Sequence, residues 1–207
     1  MNGYDSLGRP CKDLYLMNMA FEASKRSLDP NSKHGCIFTD ADSAILRTGY
    51  NSPPIGSRDE KMPQVAPDKY IVFEHSERNA IALAAKRGIP LDNSHVHVTG
   101  LPCRECLRIM KQSGVVSVTY GPLMSKMIEN IDYLEGYKYL LSPIYVENDT
   151  DFTISPLRDS YISALIDMQP QIKDYYKERV QIDIYRYVCD DCYKKSIQEQ
   201  MKEKENV

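Results

Sequence analysis

Two short runs carry the residues best equipped for chemistry. One is His75-Ser76-Glu77 and the other is Pro102-Cys103-Arg104-Glu105-Cys106. Imidazole and thiolate are ligands that zinc takes readily, and a catalytic zinc uses three protein ligands and leaves its fourth position to water or substrate. Cys103 and Cys106 stand three residues apart, so at the first turn of a helix their sulfurs face one way. A helix N-terminus carries partial positive charge and free N–H groups, and both favour the thiolate. Pro102 suits a helix start, where its missing N–H would have had no intrahelical partner. His75, just ahead of a second predicted helix, supplies the third ligand. Glu77, two residues on, brings a carboxylate near the open position without obliging it to coordinate. The alternative is a closed site or chance, a closed site taking its fourth ligand from Glu77, His95 or His97.

The elements that must hold these runs follow from periodicity. Apolar residues at Leu14, Met17, Ala20, Phe21 and Leu28 predict a helix over 13–28, stopped by Asp29-Pro30-Asn31. Residues 35–39 and 44–50 read as a hairpin around a polar turn at 40–43. The stretch 51–69 holds five Pro and Gly residues and no periodicity, which marks a long functional loop. Helices are predicted over 77–87, ended by Gly88, and over 102–112, stopped by Gly114; strands are predicted over 95–99 and 115–120. A helix over 125–134 and a last strand over 142–146 complete the pattern. The order α-β-β-α-β-α-β-α-β implies a mixed sheet covered on both faces. We therefore expect one domain over 1–149 and, over 150–207, a helical extension that is not an independent domain, with helices at 159–168 and 171–201.

Composition narrows the functions. The chain of 207 residues is 42% hydrophobic and 27% charged, ordinary for a soluble globular protein able to bury a core. Its net charge of −3 argues against a polynucleotide partner, which needs a basic stripe, but not against a single nucleotide. No apolar run approaches the ~20 residues that span a bilayer, and no basic segment followed by an apolar one opens the chain, so the expectation is a cytoplasmic protein without membrane contact. Four of the six cysteines form two Cys-x-x-Cys pairs, which without a secretory context suggests metal or redox chemistry before disulfides. The second pair, Cys189 and Cys192, could be half of another zinc site with Cys11, Cys36 or His34, although free thiols are the default. His95 and His97 alternate with valines and share one polar face of their strand.

The two chemical runs resemble the H-x-E and P-C-x-x-C signature of zinc deaminases. Several segments in order resemble the deoxycytidylate deaminase family in particular. Gly49-Tyr50-Asn51-Ser52-Pro53-Pro54-Ile55-Gly56 is similar to the family's G-Y-N-G-x-P-x-G loop. His75-Ser76-Glu77-Arg78-Asn79-Ala80-Ile81 is similar to its H-A-E-x-N-A-I, and Pro102 to Cys106 with Ile109 and Ser113-Gly114-Val115 completes the series. The resemblance covers roughly residues 13–120. It implies a three-layer α/β/α cytidine-deaminase-like fold around a five-stranded mixed sheet, a homo-oligomer, and Zn2+ on His75, Cys103 and Cys106. The implied reaction is the hydrolytic deamination of dCMP to dUMP and ammonia. Zinc would lower the pKa of a water toward ~7, and Glu77 would shuttle its proton to N3 and the leaving amine. Asn51 would bind the sugar hydroxyl or the base, and Lys86 and Arg87 would be candidates for the phosphate, at this or a neighbouring active site. Other substrates of the same chemistry are dCTP, a 5-substituted dCMP or a nucleic-acid base, and a different class is an inactive zinc-stabilised nucleotide-binding module. The chain departs from the family pattern at Ser52 for glycine, at His34 for an apolar residue, after Tyr120, and at Ser76 for alanine, a small change in volume.

Overall fold

The computed structural model describes residues 3–124, 134, 136–137, 152–173, 179–180, 182–184, 187 and 190–205. Helix α1 (Lys12–Ser24) leads into strands β1 (Gly35–Thr39) and β2 (Ile45–Tyr50). These form the expected hairpin, with Gly35 opposite Tyr50 and Ile37 opposite Thr48. A long loop then holds the short helix α2 (Lys69–Val72) and delivers α3 (Ser76–Arg87), which Gly88 ends in the left-handed conformation at φ +65°. Strand β3 (Ser94–Val98), helix α4 (Arg104–Gln112) and strand β4 (Val115–Tyr120) follow as a parallel crossover unit.

The sheet has five strands in the order β2-β1-β3-β4-β6, where β6 is Thr153–Pro156 and β5 is the two-residue Leu123–Met124 paired with β7 (Arg179–Val180). Strand β1 runs antiparallel to both its neighbours, β2 and β3, and β3, β4 and β6 run parallel to one another, so the sheet is mixed as expected. Strand β1 is buried along its whole length, and its alternating side chains divide between two cores. Cys36 and Phe38 face Ala80 and Ala84 of α3 and Leu107 and Met110 of α4. Ile37 faces the other way, onto Leu14, Met17 and Phe21 of α1. Helices on both faces of one sheet make the three layers α/β/α.

The C-terminal part corrects the sequence reading. The strand expected at 142–146 and most of the helix expected at 125–134 lie outside the described residues. Position five of the sheet is filled by β6, in the segment assigned to a helical extension, so the boundary drawn at 149 falls ahead of the last strand. Pro156 is compatible with this place because among the described residues β6 is the edge strand, and an edge strand tolerates a residue that cannot donate. The helix expected at 159–168 is a 3-10 turn, Asp159–Tyr161, followed by α5 (Ile162–Met168). In place of one helix over 171–201 the described residues contain a 3-10 turn at Pro170–Ile172 and α6 (Asp191–Glu205). Described residues of this segment pack on the same core. Ile182, Ile184, Tyr187 and Ile197 join the core under α3 and α4, and the Tyr120 hydroxyl donates to Ile182 O at 2.6 Å and accepts from Ile184 N at 2.8 Å. Among the described residues no helix is long and apolar enough to cross a membrane.

Candidate active site

The N-termini of α3 and α4 bring the metal-type ligands together. His75 is the N-cap of α3 and Cys103 the N-cap of α4, each in extended backbone immediately before its helix. One position where a Cβ cannot fit fixes α3. A side chain at Gly49 of β2 would put its Cβ 2.2 Å from the carbonyl oxygen of Ser76, so glycine lets the helix start lie directly on the strand. The Asn79 side-chain amide then ties α3 to the loop, donating to Tyr50 O at 3.1 Å and to Ser52 O at 3.2 Å.

His75 Nδ1 lies 3.4 Å from Cys103 Sγ and 3.5 Å from Cys106 Sγ, and the three ligand atoms fall within 4.8 Å of one another. Tetrahedral zinc with ordinary Zn–N and Zn–S bonds requires an N···S separation of about 3.6 Å. Two thiolates and one imidazole suit zinc better than magnesium or calcium, which prefer oxygen. The residues therefore fit zinc with one position left over. His95 and His97 do not fill it. His95 Nδ1 is 2.6 Å from Ser117 Oγ, and His97 Nε2 is 3.1 Å from Asp13 Oδ1 of α1, on the opposite face of the sheet from α3. No second cluster of three such ligands occurs among the described residues. Cys192 is a free, exposed thiol, and Cys189 lies outside the described residues.

Without metal the two thiols share protons unequally. The Cys106 thiol donates to Cys103, and His75 and the Cys106 backbone N–H add to this, drawing the Cys103 pKa down to about 5. Cys106 is raised in turn by that hydrogen bond, by burial and by the Glu77 charge. The His75 imidazole is raised, first by its hydrogen bond to Cys103.

These residues open onto a pocket. His75, Glu77 and Cys103 line one part of it, and Phe73, Val98, Leu101 and Pro122 supply apolar wall. Glu77 is 3% exposed, and its Oε2 accepts from the Ser76 hydroxyl at 2.7 Å. Asn51 also lines the pocket, with its amide fixed from behind. Its Oδ1 accepts from His34 N at 2.8 Å, and its Nδ2 donates to Ser32 O at 2.8 Å and to Asp29 Oδ2 at 3.4 Å. Lys86 and Arg87 are not brought to the site. They are exposed at the far end of α3, about 15 Å along the helix axis from Ser76, and do not line the pocket.

The pocket also has a charged wall that no sequence pattern marks. Lys69 Nζ sits 2.6 Å from Asp29 Oδ2, with side chains 5% and 4% exposed. Burial raises the Asp29 carboxyl, but the Lys69 ammonium and the N–H groups of Asn31 and Ser32 outweigh it and hold it below the usual carboxylate range. The signals available were Asp29 before Pro30, read only as a helix stop, and a lysine at the end of a loop; nothing in their spacing of 40 residues pairs them.

A mixed five-stranded sheet between helical layers, with a Cys2His cage at two helix N-termini, defines a cytidine-deaminase-like fold with a zinc-type centre. The family described as "Cytidine and deoxycytidylate deaminase zinc-binding region" matches residues 10–122, and the chain belongs to it. It is 35% identical over 120 residues to the probable deoxycytidylate deaminase of Caenorhabditis elegans, covering 56% of this chain and 60% of that protein. It is 31% identical over 112 residues to the human deoxycytidylate deaminase, covering 51% of this chain and 62% of that one. The matched stretch thus spans about three fifths of these relatives' length. In structure it resembles the dCMP deaminase of cyanophage S-TIM5, solved in complex with dCMP and dUMP, with a TM-score of 0.50 and 24% identity over 70% of this chain and 96% of that one.

Proposed function

We propose that this chain hydrolyses the exocyclic amine of a deoxycytidine nucleotide, with dCMP as first substrate, so that dCMP and water give dUMP and ammonia. The observation that carries the reading is a buried carboxylate, Glu77, in the wall of the same pocket as the Cys2His cage. His75, Cys103 and Cys106 would hold zinc, which when bound lowers the pKa of water and so supplies a nucleophile at neutral pH. Glu77 takes one proton from the attacking water and passes it to N3, then takes the second from the hydroxyl so added to C4 and passes it to the departing amine, so both protons of the water are accounted for. The apolar wall from Phe73, Val98 and Leu101 limits water around the base. Asn51 orients the sugar or base through its Oδ1, because both Nδ2 hydrogens are engaged by Ser32 and Asp29. The names of the relatives and the ligands of the cyanophage structure support a deoxycytidine mononucleotide.

We further propose that residues 150–207 extend the deaminase domain and are not an independent domain, and that the chain acts in the cytoplasm on a small nucleotide, not on a polynucleotide, as a homo-oligomer. The test is ammonia release by the zinc-loaded protein offered dCMP, dCTP, deoxycytidine and a short oligonucleotide in parallel. The expected result is fastest release from dCMP. Release from the oligonucleotide alone, or from none of the four, overturns the reading.

A further inference from the structure

The serine between the histidine and the glutamate alters the chemistry around Glu77 more than its volume suggests. Ser76 is completely buried, so its hydroxyl has no access to water. It donates to Glu77 Oε2 at 2.7 Å, a charge-assisted bond to an acceptor that is itself 3% exposed. The hydroxyl cannot drift, because the backbone that carries it is pinned. Gly49 lies under the Ser76 carbonyl, and Asn79 N donates to His75 O at 3.0 Å. On the side of the sheet the buried Cys36 thiol packs against Gly49, under the same helix start, and the Ser76 hydroxyl gives its one proton to the carboxylate. Alanine, which stands here in the family pattern, could hold none of this.

We infer that Ser76 is a positioning residue: its hydroxyl clamps one oxygen of Glu77 and leaves the other as the single oxygen that moves protons at the substrate. The inference rests on the proposed deaminase activity. A carboxylate swings about its terminal torsion in a broad, roughly two-fold well, so an unanchored Glu77 exchanges its oxygens and spends time out of line. Anchoring Oε2 removes that freedom before the substrate arrives, and small errors of placement at reacting atoms carry large losses in rate. Ser76 lines the pocket beside Glu77, but its side chain is fully buried and its hydroxyl proton is committed to the carboxylate. The clamp therefore acts on the rate of the chemical step and not on binding.

The experiment compares zinc-loaded wild type with Ser76→Ala, which removes only the hydroxyl, and Ser76→Thr, which keeps it. Metal content, melting temperature, KM and kcat for dCMP are measured on the same samples. Affinity for a hydrated pyrimidinone nucleotide, a mimic of the tetrahedral intermediate, is measured too, together with crystal structures of wild type and Ser76→Ala. In Ser76→Ala kcat falls about tenfold, the loss expected for one hydrogen bond to a charged group. Zinc, stability and KM hold, the mimic binds more weakly by a similar factor, and the Glu77 carboxylate takes more than one orientation. Should Ser76→Thr fold, it recovers kcat. Unchanged kcat and mimic affinity in Ser76→Ala, a rise in KM alone, or a single unshifted Glu77 orientation overturns the clamp. A wild type that releases no ammonia from dCMP instead overturns the deaminase reading, and the inference with it.

Discussion

Replacing Lys69 by methionine tests the pocket's charged wall. The change keeps the length of the side chain and removes its charge, so Asp29 is left as an anion that is 4% exposed. Breaking a buried ion pair from one side costs about 3–5 kcal/mol. Asp29 retains hydrogen bonds to its Oδ1 from Asn31 N at 2.9 Å and Ser32 N at 3.0 Å, which places the expected loss near the lower end, about 3 kcal/mol. For a domain of this size that lowers the melting temperature by roughly 6–12 °C. Adding Asp29→Asn removes the orphaned charge while an amide oxygen can still accept from Asn31 and Ser32, so Lys69→Met with Asp29→Asn is more stable than Lys69→Met alone. The pH dependence follows from the depressed Asp29 pKa. A carboxyl lowered by folding contributes stability above its unfolded value of about 3.9 and loses it as pH falls through the lower folded value. The gap between wild type and Lys69→Met therefore narrows below about pH 4. The assay is thermal unfolding followed by circular dichroism from neutral to acid pH. A variant that melts with wild type at pH 7, or a gap that widens in acid, refutes the reasoning.

Two more predictions concern the pocket directly. His75→Ala and Cys103→Ala each lose bound zinc in a colorimetric metal assay after dialysis, and metal retained by both would show the ligand set to be wrong. Asn51→Ala keeps its zinc but loses kcat/KM for dCMP by at least about tenfold, because a group that accepts from the substrate and anchors the His34 and Ser32 backbone is gone; an unchanged kcat/KM removes Asn51 from the site.

The metal cage was legible because its information is local. Spacings of two and three residues next to helix starts predict which atoms converge, and His75, Cys103 and Cys106 converge as predicted. The hairpin and the β3-α4-β4 unit were legible for the same reason, since strong alternation and clear stops mark them. The fifth strand was not. Thr153-Ile154-Ser155-Pro156 carries one buried apolar residue and a proline, whereas 142–146 looks more like a strand; pairing with β4, not propensity, makes β6. Ser76 looked neutral because neighbouring positions on a helix do not face each other, and only the curl of Glu77 at the first turn brings the two together. Lys69 and Asp29 belong to segments without periodicity, so only the folded chain pairs them. Lys86 and Arg87 were candidates through the family resemblance, which places a basic residue in this helix, and α3 carries them away from this pocket.

The central claim is that Glu77 moves protons for deamination of a deoxycytidine nucleotide beside a metal held by His75, Cys103 and Cys106. Glu77→Gln tests it most directly, because the amide has nearly the same shape and leaves the cage intact but cannot accept the water proton. Single-turnover ammonia release from dCMP, read beside zinc content on the same sample, is the measurement. Full zinc is expected in both proteins, with a rate lowered in Glu77→Gln by about 10⁴-fold or more, the upper end for general acid–base catalysis. Wild-type turnover by a zinc-loaded Glu77→Gln protein would contradict the claim.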